Sequence, residues 1–284
     1  THQISADHLT IEKIGEIIYN NYKIELSDDA RKRIIKSREY LDARIAKEEN
    51  PIYGVTTGFG SLCNVSISKD QLSQLQVNLI KSHACGVGER LPNDIIKMML
   101  LLKVQSLSYG FSGCKLDTVE RLVDMFNNNI YPVILEQGSL GASGDLVPLA
   151  HMSLPLVGLG EVEMNGEVVS GEEMNRRMNW KPIELASKEG LALLNGTQNM
   201  SAQAVWALLN AQRLSEWADV IAAMSLDAFD GRIEPFTHAV HAVRPHQGQI
   251  ETAARFRQLL EGSQLIARPK QHVQDPYSFR CVPQ

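Results

Sequence analysis

Between Asn199 and Asp227 the chain places apolar side chains around most of a helical circumference. Val205, Trp206, Leu208, Leu209, Leu214, Trp217, Val220, Ile221 and Met224 fall on several faces rather than on one stripe. A helix of that kind must be covered from several sides, because an apolar face left in water forfeits the free energy of burial. The stretch therefore predicts a helix packed among other helices. Upstream the dominant period is also helical. Ser27-Asp28-Asp29 offers a capping side chain and first-turn carboxylates for a helix through Arg31, Ile34, Leu41 and Ile45 that ends before Pro51. Ser68 and Gln71 have capping-box spacing ahead of Leu72, Leu75, Leu79 and His83, which share a face. Asp94 to Tyr109 predicts a largely apolar helix and Asp117 to Phe126 a shorter amphipathic one, both expected beneath the loop that carries Ser143. Glu161 to Val169 alternates about Asn165-Gly166, a strong hairpin signal. The expected fold is mainly α. Residues 1–198 form an N-terminal domain with a small β-hairpin, and 199–284 begin a long central helical bundle.

Composition removes several function classes. The formal charge of -5 lacks the basic surplus or patch of a nucleic-acid binder. Leu146 to Leu159, the most apolar stretch, is broken by Pro148, His151 and Pro155 and is too short to span a bilayer. No basic-then-apolar leader pattern opens the sequence. Cys63, Cys85, Cys114 and Cys281 show neither close pairing nor metal-ligand spacing, so reduced thiols and a cytoplasmic location are expected. His2, His8, His151, His238, His241, His246 and His272 form no metal-binding set; His238 and His241 have helical spacing but no acidic partner.

The chemistry concentrates in Gly141-Ala142-Ser143-Gly144-Asp145. If the amide nitrogen of Gly144 closes on the carbonyl of Ala142, a five-membered ring forms. Loss of two waters then turns Ser143 into a dehydroalanine inside a conjugated methylidene-imidazolone, an electrophile made from backbone. Glycine supplies an unhindered nitrogen and a permissive backbone, serine a hydroxyl to eliminate, and alanine little bulk. A serine-hydrolase reading fails, because a Gly-x-Ser-x-Gly elbow needs glycine where Asp145 stands.

From Gly138 to Met152 the sequence closely resembles the aromatic amino acid ammonia-lyases and aminomutases. Tyr53-Gly54-Val55-Thr56-Thr57-Gly58-Phe59-Gly60 resembles the family's tyrosine loop, and Leu194-Asn195-Gly196-Thr197 its asparagine motif. Gln274-Asp275-Pro276-Tyr277-Ser278-Phe279-Arg280-Cys281 resembles its carboxylate-binding motif. The resemblance implies no external cofactor, the methylidene-imidazolone (MIO) being formed from Ala142, Ser143 and Gly144. It implies Tyr53 as general base, a role that requires a phenol pKa below its ordinary ~10. Arg280 is implied as a bidentate grip on the substrate carboxylate, Tyr277 as its neighbour in the site, and Gln274 as pocket lining. Asn195 is assigned either to that carboxylate or to the imidazolone oxygen.

His83, beside Ser82, stands where the family reads the substrate side chain, and an imidazole there suits either a histidine ring or a tyrosine hydroxyl. The implied reaction is non-oxidative loss of ammonia from L-histidine to give urocanate; a tyrosine ammonia-lyase or an aminomutase is the alternative. Family members are longer, and this sequence stops at Gln284, soon after the carboxylate motif. The implied partners are a small amino acid substrate and either a homotetramer with shared active sites or a second chain supplying the missing C-terminal half. A further expectation is a catalytically silent lyase-like subunit that acts through helix association.

Overall fold

The structure, a computed structural model, describes residues 1–47, 52, 55, 57 and 71–284. Two compact units are present, Thr1–Ala207 and Leu208–Gln284. The first opens with parallel β1 (His2–Ile4) and β2 (Ile24–Leu26), linked by α1 (Ile11–Tyr19). Helix α2 (Asp28–Lys47) starts where the sequence predicts, the Ser27 hydroxyl accepting the Ala30 amide at 3.2 Å. Helix α3 (Leu72–His83) buries Leu72 and Leu79, while the expected cap at Ser68 lies outside the described residues.

Strand β3 (Val87–Arg90) leads to α4 (Asn93–Ser108), which buries most of its side chains, and α5 (Leu116–Asn127) packs against it. Next come β4 (Tyr131–Pro132) and β5 (Leu135–Gln137), the latter antiparallel to β3. Helix α6 (Leu146–Ser153) follows the Ser143 loop. The predicted hairpin is present as β6 (Glu161–Met164) and β7 (Glu167–Ser170), turning on Asn165 and Gly166 at φ of 54° and 77°. Positive φ at both turn residues matches the right-handed twist of the strands. Strand β4 extends the hairpin into a three-stranded sheet. Helices α7 (Gly171–Met178) and α8 (Glu189–Leu194) precede the long α9 (Gln198–Ala228).

Helices α3 and α8 pack against α6 and on each other, while α5 packs on α4, α2 and β2. Gly190 permits the α3–α8 approach. Its amide donates to the Gln76 side-chain oxygen at 2.9 Å, and an added Cβ would lie the same 2.9 Å from that oxygen.

Helix α9 confirms the predicted length and corrects the predicted burial. Val205 is buried, but Trp206, Leu208, Leu214, Trp217, Ile221 and Met224 are exposed. Periodicity reports how much of a helix is apolar, whereas cover depends on what packs there. In the second unit α9 continues into α10 (His238–Ala242), α11 (Gln247–Leu259), α12 (Gln264–Ala267) and α13 (Tyr277–Arg280). Its core joins Ala223, Leu226, Phe236, Ala253, Phe256 and Leu260, with the Phe236 and Phe256 rings stacked 4.6 Å apart.

Candidate active site

The loop from β5 to α6 is built by backbone. Gly138 brings it close to Val147, and its tip folds back so that Gly144 pairs with both Gly141 and Ala142. Gly144 has φ +103°, and its amide lies 3.4 Å from the Gly141 oxygen. A Cβ added at Gly144 would sit 2.5 Å from the Gly196 oxygen, so the position demands glycine for space as well as conformation. Ala142 and Ser143 are exposed at the tip.

A segment just after α8 holds this loop. The Asn195 amide donates to the Ser143 oxygen at 2.8 Å, and the Asp145 amide donates to the Gly196 oxygen at 2.8 Å. Asp145 is fully buried. Its carboxylate accepts the Ser139 hydroxyl at 2.7 Å and the Met200 amide at 2.9 Å, tying the loop to the first turn of α9. Helix α8 is itself fixed at both ends. Buried Glu189 accepts the Lys115 and Ala186 amides and the Thr118 hydroxyl, at 2.9, 2.7 and 2.6 Å. At the other end, buried Lys103 donates to the Ala192 and Asn195 oxygens at 3.3 and 3.1 Å. Burial lowers the Lys103 ammonium to about 8, partly offset by the Cys114 and Asp145 side chains. Burial pushes the nearby Cys114 thiol up to about 12, with the Glu189 carboxylate adding to the rise.

His83 ends α3 half-buried, with Nδ1 2.9 Å from the Leu79 oxygen and 3.1 Å from the Ser82 hydroxyl. Donation from Nδ1 leaves Nε2 as the acceptor, without a partner among the described residues. His151 on α6 accepts the Gly86 amide through Nε2 at 3.0 Å. Burial lowers its pKa and so favours the neutral ring that this bond requires.

The predicted carboxylate residues occupy the second unit. Gln274 and Arg280 line a cavity of about 380 Å³ together with Arg232, Glu234 and Asp275. Asp275, buried, accepts the Arg232 amide at 2.7 Å and pairs with His272 at 2.6 Å, which fixes the backbone beside Gln274. The Arg280 guanidinium has no ion-pair partner among the described residues. Tyr277 begins α13, 71% exposed, and does not line that cavity. Tyr53 lies outside the described residues.

The loop fits the group that the sequence implies. Its backbone pairs Gly144 with Ala142, the two residues that a five-membered ring would join. Sequence reasoning missed Lys103, Glu189 and the Asp145–Met200 link. A lysine inside an otherwise apolar helix was the available signal for the first.

Fold and loop together define a mainly helical protein whose candidate centre is assembled from backbone around an Ala-Ser-Gly turn. The chain belongs to the aromatic amino acid lyase family, which residues 9–284 match. A histidine ammonia-lyase from Caldanaerobacter subterraneus subsp. tengcongensis is 48% identical over 282 residues, covering 99% of this chain and 55% of that protein. One from Streptococcus gordonii is 45% identical, covering 100% and 56%. Among solved structures, a phenylalanine aminomutase of Pantoea agglomerans superposes with a TM-score of 0.90 at 31% identity, over 100% of this chain and 58% of that one. Histidine ammonia-lyase from Trypanosoma cruzi gives 0.87 at 37%, over 99% and 52%. The chain thus spans about half the length of the relatives it matches. Among the described residues no helix is long and apolar enough to cross a membrane.

Proposed function

We propose that this chain carries the electrophile-bearing part of an ammonia-lyase site that converts L-histidine into urocanate and ammonia. In that reaction the α-carbon–nitrogen bond breaks, a β-proton leaves and a carbon–carbon double bond forms, with no net oxidation. The observation that carries the reading is the folded Ala142-Ser143-Gly144 turn, held by Asn195. An MIO group formed there supplies an electron-poor centre that eases ammonia release, and no external cofactor is needed.

The remaining work belongs to side chains. Arg280, without an ion-pair partner among the described residues, grips the substrate carboxylate, and Gln274 lines the same cavity. Tyr277 completes that motif, Tyr53 takes the β-proton, and Asn195 orients the turn. His83 offers Nε2 to the N–H of a substrate imidazole. The histidine ammonia-lyase names among the relatives, at 44–48% identity, favour histidine over tyrosine. In this reading residues 1–198 are the domain that carries the MIO segment and the tyrosine loop, and 199–284 the beginning of the bundle. The working assembly is a homotetramer with shared sites, or a pairing with a second chain, in the cytoplasm.

Intact mass with peptide mapping across residues 142–144, followed by a histidine-to-urocanate assay, tests the proposal. A species lighter by two waters that releases urocanate is expected, and Ser143→Ala should lose both properties. Undiminished turnover in Ser143→Ala overturns it. A β-amino acid product in place of urocanate favours the aminomutase reading, which rests on the aminomutase likeness.

A further inference from the structure

Lys103 is 1% exposed on α4, among Met99, Leu100, Val104 and Leu107, where an apolar side chain would be the cheaper occupant. Its ammonium is spent on two carbonyls, those of Ala192 and Asn195. The last carbonyls of a helix have no partner within it, and a cation there also meets the favourable end of the helix dipole. Lys103 thus closes the C-terminal end of α8 from inside the core. The acidic side chain of Asp145 favours its charge, and at neutral pH the ammonium retains its proton despite burial.

What the lysine holds is the piece of chain that touches the reactive turn. Asn195 gives its backbone oxygen to Lys103 and its side-chain amide to the Ser143 oxygen. One residue further, the Gly196 oxygen receives the Asp145 amide. The three residues that would form the electrophile are therefore backed by a two-residue segment, and that segment is backed by one ammonium. Building on the reading of residues 142–144 as the reacting turn, we propose that Lys103 is a positioning residue: its ammonium, bound to the Ala192 and Asn195 carbonyls, keeps the Asn195 amide aimed at the Ser143 carbonyl.

The test compares the wild type with Lys103→Met and Lys103→Arg by hydrogen–deuterium exchange, intact mass, and kcat and KM for histidine. In Lys103→Met, peptides covering 189–197 and 139–145 should exchange at least ~10-fold faster while the β6–β7 hairpin keeps its protection. The kcat should fall by about 100-fold with a much smaller change in KM, as expected for a misplaced orienting group. Lys103→Arg, which keeps the charge and its donors, should restore protection. On an Asn195→Ala background Lys103→Met should cost little more, because it acts through Asn195.

Unchanged protection in both peptides, or additive losses in the double variant, overturns the proposal. A wild-type chain that protects both peptides through Lys103 yet neither loses two waters nor consumes histidine supports the clamp and overturns the functional reading alone. If Lys103→Met does not fold, Lys103→Gln replaces it and is judged by the same exchange and kcat outcomes.

Discussion

The buried carboxylate of Asp145 accepts the backbone amide of Met200 at 2.9 Å, so the residue that ends the Ala142–Gly144 turn also caps the first turn of α9. Negative charge is favoured where the first amides of a helix point outward without partners. The second oxygen takes the Ser139 hydroxyl at the start of the same loop. One side chain thereby fixes both ends of the loop and its distance from α9.

Asp145→Ala removes the acceptor for Met200 and Ser139 together. A loss of about 2–4 kcal/mol is expected in urea unfolding, since hydrogen bonds to charged groups are the stronger kind and their buried partners are stranded. An unchanged midpoint and slope would show that the link contributes nothing.

Gly144→Ala and Gly141→Ala separate space from strain. At Gly144 an added Cβ meets the Gly196 oxygen at 2.5 Å, whereas at Gly141, with φ +77°, nothing lies within 4 Å. Gly141→Ala should cost only about 1–2 kcal/mol, the conformational penalty of a left-handed residue. Gly144→Ala should cost more and show no loss of two waters in the intact mass, since the turn cannot close. Comparable behaviour of both variants would refute the steric assignment.

His83→Leu removes the acceptor Nε2 from the end of α3. Discrimination for histidine over tyrosine or phenylalanine should fall by about 10-fold or more in relative kcat/KM, the scale set by losing one specific polar contact. Identical substrate ratios in wild type and variant would remove His83 from the recognition site.

Arg280→Met takes away the guanidinium that lines the second-unit cavity. KM for histidine should rise by about 100-fold, in line with loss of a charge-assisted bidentate pair, while the mass still shows formation of the electrophile. A KM within a few-fold of wild type would assign the carboxylate to another residue.

Lys103 makes stability depend on pH in a defined window. Burial lowers its ammonium from 10.5 to about 8, so between those values the unfolded chain binds the proton that the folded chain has released. The cost of burying the charge is absent above 10.5, where both states are neutral, and is felt in full once the pH falls below about 8. Relative to Lys103→Met, which cannot titrate there, the wild type should gain on the order of 1–2 kcal/mol between about pH 8 and about pH 9.5. Urea unfolding of both proteins at the two pH values measures it, and a constant difference would mean that the lysine is not desolvated.

Much of this fold was legible because its signals are local. The Asn165-Gly166 turn specifies its hairpin within four residues on either side, and Ser27 announces α2 by its own hydrogen bond. The length of α9 was legible for the same reason. Its cover was not, since Leu214, Trp217 and Met224 have the composition of buried residues but stand exposed among the described residues. The candidate site divides in the same way. Ala142, Ser143 and Gly144 are adjacent in sequence and stand out through the motif around them, whereas Asp145 meets Met200 across 55 positions and Lys103 meets Asn195 across 92. Such partners are chosen by packing, and no spacing rule reports them.

Cys114, 3% exposed near Lys103 and Glu189, gives the interior behind the turn a natural clock. Only a thiolate attacks an alkylating reagent, and this thiol is both out of reach and held protonated, so each labelling event records an opening of the interior. Cys85 and Cys281, both exposed, label without waiting and calibrate the reagent in the same tube. The breathing of the interior behind the turn can therefore be timed in the unaltered sequence.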